Sequence, residues 1–344
     1  MELTKQQTTE LKGIAILMML FLHLFNKSYM DLFQPLVFVR SQPVSHYLSL
    51  FCDCCIAIYC FCSGYGLYIG YSEDKSSFNH KNRIRIFKLY INYWVIIVVF
   101  VFILGGLVLQ KWDYIGGFWR IVLNATALNN SYNGAWWFLI TYLLLSFLSP
   151  YIFRLVEYTN KYLLTGGLLI FYTFAYFQRF HGYIYFDNVI LNWFINQIAM
   201  FGICLLPFCV GALFYNERIF SRLSIYLSNK SYVNPIFILG IILLIVIHGF
   251  IPSFYIAVFT CAGFIILWSQ IKNPRWLDVL FLFFGKHSTN FWLIHMFFMT
   301  YYFKNFIYSP RYVPLIFGLL VVCCLLGSYI VNLIYKPMLK LLKI

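Results

Sequence analysis

The sequence predicts an all-α membrane protein: one polytopic bundle of about ten transmembrane helices, N-in and C-in, occupying residues 1–344 as a single domain. Three observations carry that prediction. Of 344 residues, 62% are hydrophobic and 10% charged, against about 25% charged in a soluble domain. So little charge cannot coat a water-exposed surface of this size, and so hydrophobic a chain is not disordered. Apolar runs of spanning length recur along the whole chain. The Lys and Arg residues then sort to one side of those runs.

Taken in order, the apolar runs fall at 13–26, 44–71, 89–109, 135–153, 162–180, 196–215, 233–251, 254–271, 279–303 and 313–335. The first is short for a span of about 17–25 residues. Lys12 and Lys27 at its ends snorkel to the two interfaces and make it workable. The stretch 115–128 is broken by Arg120 and Asn124 and reads as an interfacial or re-entrant piece. Polar joints such as 72–82 and 272–274 punctuate the rest. The opening residues lack the charged, apolar and small-residue order of a removable signal peptide.

Ten spans place both termini on one side. With that side cytoplasmic, Lys27, Arg40, Lys111, Arg120, Arg179, Lys304 and Arg311 fall outside and the other 18 of the 25 basic residues fall inside. Positive residues accumulate in cytoplasmic loops, which selects N-in, C-in. The net charge of +14 is therefore an orientation signal, and no nucleic-acid partner is implied.

Ionisable groups inside spans are costly and mark functional candidates. His23 sits late in the first span, Asp53 in the second, His248 near the end of the seventh and His295 late in the ninth. Lys12 precedes His23 by eleven residues, about 16 Å along a helix. Lys286 precedes His295 by nine, about 13 Å. Each helix thus sets a cation at the inner face and an imidazole deep in the membrane. That pattern suits a long anionic ligand whose head stays at the cytoplasmic face while a reactive tail reaches a general base. Each of these residues also has a bland reading. An intramembrane His is as often a hydrogen-bonded structural group, and a Lys at a span end is commonly an interfacial anchor. His248 and His287 read as structural or interfacial.

Several motifs resemble a known family. Leu11-Lys12-Gly13-Ile14-Ala15-Ile16-Leu17 followed by His23 resembles the opening of the acyltransferase-3 superfamily of membrane-bound acyltransferases, where an Arg, ten residues and a His form the signature. Ser63-Gly64-Tyr65 resembles its Ser-Gly-Tyr/Phe motif, and Arg85-Ile86-Phe87-Lys88 its Arg-x-x-Arg stretch. Ala135-Trp136-Trp137-Phe138-Leu139 resembles the Trp-led fourth span. Gly285-Lys286-His287-Ser288 with Leu293-Ile294-His295 resembles the Gly-Lys-x-Ser and Leu-Ile-His segment. Five such motifs occur in family order over residues 11–298.

The resemblance implies a bacterial inner-membrane enzyme that takes an acyl group, usually acetyl, from cytoplasmic acyl-CoA. It delivers that group to a hydroxyl of a surface glycan or lipid-linked sugar. Acyl-CoA is a co-substrate, with no permanently bound cofactor and no metal; membrane lipids and the sugar acceptor are the other partners. His23 becomes the catalytic base and His295 a second catalytic candidate. Lys12, Arg85, Lys88 and Lys286, with Ser63 and Gly64, become the CoA-binding set. Asp53, Trp137 and Tyr142 become pocket residues. The chain also departs from the family pattern. Lys12 and Lys88 replace Arg, Ala57 stands where an Asp is common, and Tyr142 where a Glu is common. Ile91-Asn92 replaces an expected Pro pair before Tyr93.

Three further features carry weaker signals. Cys52, Cys54, Cys55, Cys60 and Cys62 cluster around Asp53, but not at paired metal-ligand spacing, so packing is the expectation. Asn124-Ala125-Thr126 and Asn129-Asn130-Ser131 are sequons on the outer side. The 28 Tyr and 38 Phe read as bilayer-facing bulk and interfacial belt. The alternative function classes are a transporter or flippase for lipid-linked sugars, a glycan polymerase, and a non-enzymatic sensor. A flippase or polymerase needs no CoA, and no repeat in corresponding halves supports transport.

Overall fold

Without water, a membrane-buried backbone must satisfy its own N–H and C=O groups, and helices do so within one segment. A computed structural model describes residues 2–26, 32–227 and 233–344. About 82% of the described residues are helical. The described strands are the short pair Phe38–Val39 and Gln42–Pro43. Lys27 and Lys230, used above for anchoring and orientation, lie outside the described residues.

Helix α1 covers Lys5–Phe25. The second apolar run is two helices, α2 (Val44–Phe51) and α3 (Cys54–Glu73). The single span expected over 44–71 is thus interrupted at Cys52–Asp53. Helix α4 (Lys75–Ile96) continues as wider π turns over Ile97–Val108. The broken stretch 115–128 overlaps α5 (Trp112–Ile115) and contains α6 (Phe118–Ala125). Then come α7 (Trp137–Tyr158), α8 (Lys161–His181), α9 (Val189–Asn216), α10 (Ile219–Leu227), α11 (Val233–Phe250) and α12 (Ala257–Gln270). Helix α13 (Arg275–Met296) continues as π turns over Phe297–Tyr302, followed by α14 (Lys304–Tyr308) and α15 (Val313–Leu341). Each of the ten apolar runs lies chiefly in one of these helices or in a consecutive pair. Among the described residues, six helical segments are long and apolar enough to cross a membrane: Lys5–Phe25, Val44–Glu73, Lys75–Val108, Gly134–Tyr158, Val189–Asn216 and Val313–Leu341. Asn234–Phe250 and Phe254–Gln270 are shorter apolar helices. Local sequence explains several boundaries. Asn160 and Asn188 cap α8 and α9 by accepting from two backbone N–H groups each. Gly182 ends α8 in the left-handed conformation, φ +63°.

The chain divides into two compact units. Unit 1 is residues 1–19, 47–79 and 144–285; unit 2 is residues 20–46, 80–143 and 286–344. Reciprocal glycines hold unit 1 together. A Cβ at Gly64 of α3 would overlap the Phe208 carbonyl of α9, and one at Gly211 of α9 would overlap the Phe61 carbonyl of α3. Gly13 of α1 and Gly285 of α13 stand in the same relation to Phe281 and Thr9. Such contacts let helix backbones touch where hydrophobic collapse offers no drive between helices.

One end of unit 1 gathers several loops. Lys75 pairs with Glu157 at 2.8 Å and Lys161 with Glu217 at 2.7 Å. The Lys161 hydrogen bond holds the Glu217 carboxyl below its usual pKa range. Glu2 accepts from the Tyr65 hydroxyl and the Ser221 N–H at this end. The joints after α3, α7 and α9 and the start of the chain, all assigned to the same side by the charge count, therefore share one end of unit 1.

The packing generates a stability prediction. Gly64→Val should lower the unfolding temperature sharply, by about 2 kcal/mol or more of overpacking, whereas Gly66→Ala, with open space around the added methyl, should leave it unchanged or slightly higher. Nine of the ten cysteines are buried, so a thiol-reactive dye in detergent solution reads the unfolding directly.

Candidate functional site

Unit 2 contains both predicted histidines. His295, on α13, is fully buried. Its Nδ1 lies 2.9 Å from the Trp292 carbonyl and 3.1 Å from the Phe291 carbonyl. A carbonyl can only accept, so Nδ1 carries the proton and the neutral ring keeps its lone pair on Nε2. That Nε2 has no hydrogen-bond partner among the described residues. The ring of His23 stands beside the His295 ring, centroids 5.0 Å apart and planes inclined by 32°. His23 itself is half-buried. The end of α1 is held in place by the Tyr308 hydroxyl, which donates to the Leu24 carbonyl at 2.9 Å, and by Phe21 edge-on to Phe317 of α15.

The bracing of the histidine helix comes from residues around the start of α7. Trp136 Nε1 and Asn133 Nδ2 both donate to the Leu293 carbonyl, at 2.9 and 3.0 Å. Trp292 Nε1 returns a hydrogen bond to the Ala135 carbonyl at 2.9 Å. These bonds fall where α13 gives way to π turns, a winding that loosens the regular carbonyl ladder. Sequence reading chose Trp137 as the pocket tryptophan. The structure leaves Trp137 half-buried beside Phe138 and buries its neighbour Trp136, edge-on to Tyr93 at 4.7 Å and to Phe297 at 5.8 Å. A Trp-Trp doublet signals that one ring packs inward but not which. Tyr142 is half-buried on α7, 6.1 Å from the Phe138 ring.

A polar layer crosses unit 2 closer to the start of α13, and sequence reading did not assemble it. Asn92 Nδ2 of α4 donates to Asn290 Oδ1 of α13 at 2.7 Å. Asn290 Nδ2 donates to Ser328 Oγ of α15 at 2.9 Å, and Ser328 Oγ lies 2.8 Å from His287 Nδ1. Asn92, Asn290 and Ser328 are buried. The available signal was polar side chains inside apolar runs.

Helices α4 and α13 run parallel here, since Asn92 meets Asn290 while Phe100 stacks on Phe297 at 5.2 Å. Lys88, one turn before Asn92, and Lys286, one turn before Asn290, therefore lie on the same side of the layer, with Arg85 a further turn out. Lys88 is half-buried; Arg85 and Lys286 are exposed. Unit 2 so presents Arg85, Lys88 and Lys286 at one end, then the amide layer, then the histidine pair. Lys111, whose ammonium donates to the Tyr301 carbonyl at 3.1 Å, marks the opposite end.

The remaining predicted residues lie in unit 1. Lys12 is half-buried on α1, its carbonyl accepting from the Tyr59 hydroxyl at 3.3 Å. Ser63 is buried and donates to the Tyr59 carbonyl at 2.7 Å. The open side of Gly64 is taken by α9, so the close approach it permits is helix to helix. Asp53 is half-buried at the break before α3 and makes no capping bond there. The Cys54 thiol and His248 Nδ1 both meet the Thr260 hydroxyl, at 3.0 and 3.3 Å. Among the described residues no three His, Cys, Asp or Glu side chains converge as metal ligands do.

A family model described as an acyltransferase domain matches residues 11–333, nearly the whole chain. The chain belongs to the acyltransferase-3 family. No curated protein and no solved structure matches it. As a family member with several apolar helices it is a multi-pass membrane protein and an acyltransferase.

The bracing predicts different costs for the two tryptophans of this acyltransferase. Trp136→Phe removes a buried donor from the Leu293 carbonyl and should cost about 1–3 kcal/mol of stability, while Trp137→Phe should cost within about 0.5 kcal/mol. Thermal unfolding followed by thiol labelling separates them.

Proposed function

We propose that this chain transfers an acyl group, acetyl in the simplest case, from cytoplasmic acyl-CoA to a hydroxyl of a glycan or lipid-linked sugar. The observation that supports this most is the His23–His295 pair, one ring half-buried and the other holding a bare, buried Nε2. The membrane is a bacterial inner membrane crossed about ten times, with both termini cytoplasmic as the charge bias indicates. The cationic end of unit 2 then faces the cytoplasm. Arg85, Lys88 and Lys286 hold the CoA phosphates there. From Lys286 to His295 is about 13 Å of helix, so a donor with its phosphates at that end directs its thioester toward the histidines.

His23 acts as general base and takes the proton of the acceptor hydroxyl. The oxygen attacks the thioester carbonyl, and the tetrahedral intermediate collapses with cleavage of the C–S bond. The leaving CoA sulfur receives the proton from the imidazolium, so alcohol plus thioester becomes ester plus thiol with no net proton change. Two imidazoles with ring centroids 5.0 Å apart at low dielectric repel when both are charged, so the pair holds one extra proton at a time. His295 thereby stabilises a neutral or singly protonated pair and orients the reacting group.

Two outcomes test this reading. In purified protein, His23→Ala and His295→Asn should each lower kcat for release of CoA thiol from acetyl-CoA in the presence of acceptor lipid by about 10²–10⁴-fold. Wild-type protein that releases no thiol and leaves acetyl-CoA intact would instead favour a sugar flippase or polymerase. Arg85→Gln and Lys286→Gln should raise KM for acetyl-CoA about three- to tenfold with kcat little changed, and the difference should shrink at high salt because these cations are exposed.

A further inference from the structure

Unit 2 buries other polar atoms besides His295 Nε2 that find no hydrogen-bond partner among the described residues. Two of them are Asn92 Oδ1 and Thr141 Oγ1. Inside a water-free bundle such an atom costs about 1–3 kcal/mol, so a site that carries several calls for an occupant. The residues themselves are 5% and 1% exposed.

The orientation of Asn92 is set by its neighbours. Asn290 Nδ2 faces the Ser328 hydroxyl and, at 3.4 Å, the Ser328 carbonyl, which can only accept. Asn290 must then turn its oxygen to Asn92, and Asn92 must answer with its N–H groups. Asn92 Oδ1 is left as the free acceptor. A ligand that satisfies it must offer an N–H or O–H.

The level of Thr141 follows from the antiparallel packing of α7 on α13. Gly134 N–H donates to the Tyr301 hydroxyl, Ala135 meets Trp292, and Phe138 lies edge-on to Trp292 at 5.4 Å. Thr141 is three residues further along, about 4.5 Å, which brings it level with residues 289–290 of α13. Asn92 sits at that same level through its bond to Asn290. Three orphaned atoms thus follow one direction within unit 2. His295 Nε2 comes first. The acceptor Asn92 Oδ1 and the hydroxyl of Thr141 follow about 7.5 Å closer to the start of α13, and Lys88 and Lys286 lie one turn beyond.

We infer that Asn92 and Thr141 line the track of the donor's arm and bind its amide groups. This inference rests on the acyl-CoA reading above. The arm between the phosphates and the thioester of that donor carries two secondary amides, each offering an N–H and a C=O. Asn92 Oδ1 accepts an amide N–H and the Thr141 hydroxyl donates to an amide carbonyl. Both residues are binding residues: they hold the thioester at the histidine level and do not take part in the proton transfer. Asn92 stands where the family motif has the second residue of a Pro pair, so this contact belongs to this chain's own sequence.

Equilibrium binding of CoA and of adenosine 3′,5′-bisphosphate, which has phosphates but no arm, tests the inference on the detergent-solubilised full chain. Thr141→Val keeps the shape of the side chain and removes the orphaned hydroxyl. It should weaken CoA about three- to tenfold, leave the bisphosphate unchanged, and keep the unfolding temperature equal or higher, a combination that a structural role does not produce. Asn92→Leu should show the same selectivity, and if it does not fold, Thr141→Val decides alone. Equal loss for both ligands, or no loss for either, overturns the arm contacts. A wild-type chain that binds no CoA overturns the acyl-CoA reading itself, which distinguishes the two failures.

Discussion

Exclusion of water is the constraint on which the rest of this structure depends. In hydrocarbon a backbone carbonyl or a side-chain amide has only the protein to bond to. That requirement makes the chain helical and draws its helices into backbone contact through glycines. It also gives the hydrogen-bonded polar side chains inside unit 2 directional roles. The Leu293 carbonyl, taken by Trp136 and Asn133, and the Asn92–Asn290–Ser328 layer answer the same demand. One braces the helix that carries His295, and the other aligns α4 with α13.

The same constraint gives His295 its chemistry. Two backbone carbonyls claim Nδ1, so the base-competent nitrogen is the one facing away from its own helix. A histidine in water would exchange tautomers freely; here the helix geometry selects one. The neighbouring His23 ring lies 5.0 Å away, centroid to centroid, in a medium that resists charge. Charge held at the exposed end of unit 2 and neutrality at its buried centre are complementary features. They suit a substrate that is anionic at one end and neutral at the other.

Much of this was legible beforehand. The ten apolar runs are visible because a membrane environment selects continuous apolar stretches, and each lies chiefly in helix; among the described residues six helical segments are long and apolar enough to cross a membrane. The His23 and His295 spacing from their lysines was visible because residue separation converts to rise along a straight helix. Less legible was the face on which a residue sits. Trp136 and Trp137 are chemically identical, and only packing against Tyr93 and Phe297 distinguishes them. Gly64 read as room for a ligand, whereas the α9 backbone occupies that room. The break at Cys52–Asp53 has no Gly or Pro to announce it.

Composition and spacing by themselves determined the membrane environment, the helical class, the positions of the apolar runs and the two histidines of interest, because these follow from local hydrophobicity and from periodicity along one helix. The family motifs added the chemistry to expect. Only the tertiary structure decided that His23 and His295 share one unit and lie ring against ring, that Trp136 braces the helix carrying His295, and that Asn92, Asn290 and Ser328 form a layer. These are contacts between residues as much as 272 positions apart in the sequence, 295 minus 23, and no local property of the chain records which distant helix will face which.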